Sequence, residues 1–140
     1  MSRVFWDTNL FIYLFEGTGA LAKRVRDVRR AMLERGDQLL TSTLTLGEVL
    51  VKPLERGDEE LARKYQEAIT TNSVMLPLDL NAARNYAVLR SDRSLRAPDA
   101  IQLACAAAAR VDLFITNDAR LQGRHVEGIQ FIVPLEHTPF

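Results

Sequence analysis

A single cysteine, Cys105, serves a chain of 140 residues. No internal disulfide can form, and a reducing compartment, the cytoplasm, is the simplest expectation. Histidine is almost as scarce: His125 and His137 stand alone, without a companion at metal-ligand spacing. No apolar run approaches the ~18 residues that cross a bilayer, so no membrane role is expected. The opening Met-Ser-Arg-Val-Phe-Trp-Asp lacks a signal-peptide layout, because charge interrupts it at once. Net charge is also missing: 18 basic residues balance 18 acidic ones, so bulk attraction to nucleic acid is not indicated. Lysine is rare within the basic set, with only Lys23, Lys52 and Lys64. The remainder is arginine, whose planar fork grips phosphate bidentately where lysine acts as a point charge; a GC-rich genome produces the same bias. There is no Gly-rich phosphate loop, and no linker, repeat or low-complexity segment. An ordinary soluble composition of this length predicts one domain, residues 1–140.

What is present is an alternation of short apolar runs and helical patterns. Arg3–Trp6 reads as a strand, followed by a short apolar helix, Leu10–Phe15, capped by Thr8 or Asn9 and ended by Gly17 and Gly19. Ala20–Arg35 is amphipathic, with Leu21, Val25, Val28, Met32 and Leu33 at helical spacing and Gly36 closing it. Gln38–Thr41 is a second strand, and Ser42 or Thr43 caps a helix that runs to Arg56 and stops at Gly57. A helix opened by Asp58 carries Leu61, Tyr65, Ala68 and Ile69 on one face and ends near Asn72. Val74–Leu76 is a third strand, Asp79 caps a helix to about Ser91, and Pro98 starts the helix Asp99–Arg110. Leu113–Thr116 and Gln130–Val133 complete five strands. Strands alternating with helices imply an α/β fold whose parallel sheet is covered on both faces.

Against this frame the acids Asp7, Glu48, Asp99 and Asp118 are oddly placed. Asp7 and Asp118 follow strands one and four, and so stand at the carboxyl edge where open α/β sheets bind ligands. Each also has a plainer use, Asp7 as a helix cap and Asp118 in Asn117-Asp118 turn chemistry. Glu48 lies among Leu44, Leu46, Val49, Leu50 and Val51, where an ionised carboxylate needs a cation or a salt bridge beside it. Asp99 follows Pro98 in a first helical turn, which suits an anion in any case. Taken together, four converging carboxylates repel one another unless a cation neutralises them. All-oxygen ligands suit Mg²⁺ or Mn²⁺ and not zinc. Such clusters activate water for attack on a phosphodiester.

Asp7-Thr-Asn after an apolar strand, Leu-Gly-Glu48-Val, Pro98-Asp99-Ala-Ile-Gln-Leu-Ala and Thr116-Asn-Asp118 together resemble the PIN-domain ribonucleases, and most of all the VapC toxin branch of bacterial toxin–antitoxin pairs. The resemblance covers essentially the whole chain. It implies a three-layer α/β/α sandwich around a five-stranded parallel sheet, a single PIN-like nuclease domain. It also implies an Mg²⁺-dependent endoribonuclease, Mn²⁺ being able to substitute, with Asp7, Glu48, Asp99 and Asp118 as its catalytic set. Asp7, Asp99 and Asp118 would hold the metal, Glu48 would orient water, and Asn9 and Thr116 would support them from behind. RNA as substrate, a small antitoxin as partner, and a homodimer follow from the same resemblance. Asn117 departs from it, standing where the family often has a basic residue.

Among the other side chains, Arg90, Arg93 and Arg96 precede Asp99, and Arg120 and Arg124 follow Asp118. Arg93 and Arg96 in particular are placed either to hold an RNA backbone or simply to face water. Arg24, Arg26, Arg29 and Arg30 read as the wet face of their helix. Cys105 reads as a small core residue. Phe11, Tyr13 and Phe15 fit either core packing or a face for a second copy or an antitoxin. Two other functions stay open. A phosphatase with Asp7 as nucleophile would want a second Asp where Asn9 stands, and a non-catalytic RNA-binding or scaffold domain would not need all four acids.

Overall fold

Short strands that are apolar on both sides have no wet face, and helices must cover them above and below. The computed structural model describes residues 1–140 and meets that requirement. Its elements are β1 (Arg3–Trp6), α1 (Thr8–Glu16), α2 (Ala20–Arg35), β2 (Gln38–Ser42), α3 (Thr43–Glu55), α4 (Glu59–Asn72), β3 (Val74–Leu76), α5 (Leu80–Leu89), α6 (Ala97–Ala108), β4 (Leu113–Ile115) and β5 (Phe131–Val133), followed by a 3₁₀ turn at Leu135–His137. The five strands are all parallel, in the order β3-β2-β1-β4-β5. The sheet therefore grows in one direction from β1 and in the other from β4, and the crevice of the fold opens between those two strands.

Side-chain alternation along the strands divides the core. Val4, Trp6, Leu39, Leu113 and Ile115 pack with buried residues of α1, α2, α3 and α4. Phe5, Leu40 and Phe114 point the other way, toward Leu103, Ala106 and Ala107 of α6. Phe5 and Phe114, paired in the β1–β4 register, stack with centroids 4.8 Å apart. The alanines of α6 keep that helix close to the sheet and its surroundings. A Cβ on Gly128 would come within 2.5 Å of the Ala107 carbonyl oxygen, and its φ of +97° is one that only glycine adopts freely.

Several expectations need correcting. The first helix begins at Thr8, and its cap is Asp7 itself, whose carboxylate accepts the Thr8 amide, rather than Thr8 or Asn9. Leu21 and Leu33 are exposed; the buried stripe of α2 is Ala22, Val25, Val28 and Met32. The last helix starts slightly earlier than expected, at Ala97. Arg24 and Arg29 do not belong to a wet face. Arg24 Nη2 donates to Thr138 Oγ1 at 2.6 Å, and Arg29 has Nη1 buried without a partner. The aromatics of α1 pack inward as a chain, Trp6–Phe11–Phe15–Tyr65, ending in a stacked pair at 4.8 Å. No helix is long and apolar enough to cross a membrane.

The stacked rings carry a prediction. Phe114 is fully buried on the central sheet, so Phe114→Ala is expected to lower unfolding free energy by about 3–5 kcal/mol, read from urea midpoints.

Candidate active site

β1 ends at the crevice, and its next residue, Asp7, is only 8 % exposed. Two jobs fall to this one carboxylate. Oδ1 caps α1 by accepting the Thr8 amide at 2.8 Å, and also accepts Gln102 Nε2 at 3.2 Å. Oδ2 accepts the Thr116 hydroxyl at 2.7 Å, from the residue just after β4. Burial raises the Asp7 pKa above the ordinary aspartate value; these hydrogen bonds oppose the rise, and the nearby Asp99 charge adds to it. Asp7 thus sits in an environment that disfavours its own charge.

Glu48 differs from expectation. It is exposed, because the buried stripe of α3 is Thr45, Val49 and Pro53 and leaves Glu48 at its margin. The apolar neighbours that suggested a buried Glu include the exposed Val51. Glu48 is nevertheless fixed: Oε1 accepts the Thr8 hydroxyl at 2.6 Å.

Asp99, in the first turn of α6, and Asp118, after β4, are held by arginines. Arg96 Nε lies 3.3 Å from Asp99 Oδ2. Arg120 grips Asp118 with its fork, Nε to Oδ1 at 2.9 Å and Nη2 to Oδ2 at 2.6 Å, and its own amide donates to Oδ1 at 3.0 Å. This guanidinium pulls the Asp118 pKa below the usual range. The same Nη2 stands 3.9 Å from Asp99 Oδ2.

All four acids line one cleft of about 450 Å³, together with Thr8, Asn9, Ile12, Arg96, Pro98 and Gln102. No three acidic side chains stand close enough to form a ready-made ligand cage; two of them are turned to their arginines. Asn9 lies beside the acids and accepts the Asn117 amide at 3.3 Å, while Thr116 is buried behind Asp7. Arg96 borders the cleft and Arg93 does not. Arg124 is engaged elsewhere, with Asp92 at 2.8 Å. Cys105 is buried, and burial pushes its thiol up to about 11.

A buried amide at the centre carries no role in the sequence reading. Gln102, 2 % exposed, directs Nε2 toward Asp7 Oδ1, Thr8 Oγ1 at 3.1 Å and Thr45 Oγ1 at 2.8 Å. The Ser42 hydroxyl donates to its Oε1. Gln102 thereby ties the end of β1 to α3 and α6. The signal available was its position three residues after Asp99, within the quoted motif, on a helix whose other inward residues are nearly all alanine, leucine or cysteine.

Comparison with known proteins agrees with this geometry. The PIN domain family matches residues 4–125, a span that includes all four acids, and the chain belongs to that family. Among solved structures, the chain is similar to the toxin–antitoxin complex from Klebsiella pneumoniae, at 25% identity over 90% of this chain and 94% of that one, with a TM-score of 0.66. VapBC2 from Rickettsia felis, bound to a promoter DNA fragment, aligns at 11% identity over 94% of this chain and 98% of that one, TM-score 0.75. DNA-bound VapBC from Salmonella typhimurium aligns at 18% over 96% and 99%, TM-score 0.74. At these lower identities the last two speak for the fold. No curated protein matches the sequence.

Two predictions follow from the buried pair. Folded Asp7 holds its proton more tightly than an unfolded aspartate does, so the folded state binds more protons between the two pKa values. Stability contributed by this group therefore falls as pH rises through that window. With chelator present, Asp7→Asn is expected to melt above the wild type near neutral pH, and the gap is expected to close as pH falls toward the ordinary aspartate range. A wild type at least as stable near neutrality would mean that its hydrogen bonds outweigh burial. For Gln102, substitution by Met keeps the shape and strands Ser42, Thr45 and Asp7 without their partner. A loss of about 1–3 kcal/mol is expected in denaturant titration.

Proposed function

We propose that this chain is a divalent-metal-dependent endoribonuclease and the toxin of a VapBC-type toxin–antitoxin pair. The observation that carries the reading is the arrival of Asp7, Glu48, Asp99 and Asp118, from four separate elements, on one cleft at the switch point of the sheet. Their chemistry fits a hard cation: every donor is a carboxylate oxygen, and buried Asp7 is an anion that a cation would relieve. Asp7, Asp99 and Asp118 would hold Mg²⁺, or Mn²⁺ in its place. Bound there, the ion supplies Lewis-acid polarisation and charge neutralisation for hydrolysis of a phosphodiester.

The protein's own groups have separate tasks in this reading. Thr116 and Gln102 hold the Asp7 carboxylate in one orientation. Thr8 fixes Glu48 Oε1 and leaves Oε2 without a protein partner, free to accept a hydrogen bond from the attacking water. Arg96, at the rim, offers a guanidinium to the phosphate next to the cut. The toxin assignment draws its support from similar structures, one named as a toxin–antitoxin complex and another as a member of the VapBC family of toxin–antitoxin systems. A small antitoxin would seat beside α1, at an apolar recess of about 200 Å³ lined by the exposed Leu33, the part-buried Phe15 and the core residues Phe11 and Leu39. Trp6 Nε1 and Arg29 Nη1, on two residues of the same lining, are buried donors without partners.

The test combines cells and purified protein. Wild type expressed without its antitoxin is expected to arrest bacterial growth, while Asp7→Asn at equal level is harmless. In vitro, RNA cleavage should need Mg²⁺ or Mn²⁺, stop with chelator, and fall by several orders of magnitude in Asp7→Asn with folding intact. A soluble Asp7→Asn protein cutting RNA near the wild-type rate would sink the reading.

A further inference from the structure

The rim of the cleft is internally neutralised, and the way it is done points to competition. Asp118 Oδ1 accepts two bonds from Arg120, from Nε and from the backbone amide, and Oδ2 accepts a third from Nη2. A carboxylate oxygen has two lone pairs, so Oδ1 is filled and only one acceptor site on Oδ2 is left. A cation ligated by Asp118 would meet this guanidinium on the same oxygens. It would also approach Asp99 Oδ2, which is 3.9 Å from the same Nη2, against the repulsion of that positive charge. The anchoring is unequal. The Asp118 side chain is 19 % exposed while that of Arg120 is 52 % exposed, so the arginine is the partner with room to leave. Arg96 is a weaker rival, with one longer contact to Asp99.

We propose that Arg120 is an internal counter-ion of the metal site: it occupies Asp118 while no divalent cation is bound, and transfers its fork to an RNA phosphate when one is. Phosphate offers the same paired acceptors as carboxylate to a guanidinium fork. Metal and RNA are then coupled through one side chain, and each tightens the binding of the other by the same factor. Arg120 acts as a positioning residue for the substrate only after metal has displaced it. The proposal rests on the metal-nuclease reading, and goes beyond it in assigning an order and a coupling.

The experiment is an Mn²⁺ titration by calorimetry on the full chain, for wild type, Arg120→Gln, Arg120→Lys and Arg124→Gln. It is run alone and with a single-stranded RNA whose links are non-hydrolysable methylenephosphonates. Without RNA, Arg120→Gln is expected to bind Mn²⁺ roughly five-fold tighter than wild type, as suits removal of a competing surface ion pair, with Arg120→Lys between them. The RNA analogue should tighten Mn²⁺ binding in the wild type and do so less in Arg120→Gln. Arg124→Gln removes the same charge from a residue that bonds Asp92, Ser94 and the Arg120 carbonyl oxygen but neither Asp118 nor Asp99, and should leave the affinity unchanged. Mn²⁺ affinity in Arg120→Gln equal to or weaker than wild type overturns the proposal, and so does an equal gain in Arg124→Gln. Cleavage assays on the same preparations separate the two readings. An unchanged affinity with metal-dependent cleavage intact removes the coupling alone, whereas no Mn²⁺ binding by any variant removes the metal site as well.

Discussion

The site depends on holding one carboxylate at the end of the central strand. Asp7 leaves β1 where the sheet changes direction, and it is nearly buried there. It stays in place because three elements contribute donors to it: α1 through the Thr8 amide, α6 through Gln102, and the segment after β4 through Thr116. Capping a helix offsets part of the burial cost, so the position is structural as well as chemical. Stability and activity are then set against each other at one residue, a common arrangement in active sites.

The other acids are placed more loosely, and their charge is handled by neighbours. Asp99 and Asp118 face Arg96 and Arg120, and Glu48 lies at the edge of α3 with a single threonine contact. A chain with no net charge has here sorted its charges locally, acids into the cleft and arginines around its rim. Arg124 and Asp92 form a separate pair, in which Ser94 and then Arg124 hold the Asp92 carboxyl down at about 2.

Much of this was legible in the sequence, for physical reasons. Apolar runs of four residues between helical patterns leave few alternatives to a parallel sheet, and the cap at Asp79, the αL closure at Gly36 and the cap at Ser42 fall where turn chemistry puts them. Asp7 and Asp118 could be chosen because carboxylates after buried strands need a reason, and Glu48 and Asp99 because they sit on mostly apolar helices within the quoted motifs. The exposure of Glu48 was not legible, because α3 is apolar on more than its buried stripe and a helical wheel cannot say which apolar side meets water. Leu21 and Leu33 misled in the same way on α2. Gln102 was missed because its partners come from residues 42, 45, 7 and 8, which adjoin only after the sheet has formed. The reach of Arg120 to Asp99 likewise joins the segment after β4 to the first turn of α6, and spacing carries no signal for it.

Gln102 also gives the polar network a direction. An amide nitrogen has two hydrogens, yet three oxygens lie within reach of this one. The Ser42 hydroxyl spends its proton on the amide oxygen, and the Thr8 hydroxyl spends its own on Glu48. Every donor in the chain of bonds therefore runs toward an acid, with Asp7 at one terminus and Glu48 at the other. The two arms diverge from an amide nitrogen that can only donate, so neutralising one acid cannot reverse the bonds that serve the other. Two carboxylates on different elements thus draw on one donor group, while the direction of each arm is fixed at that shared amide.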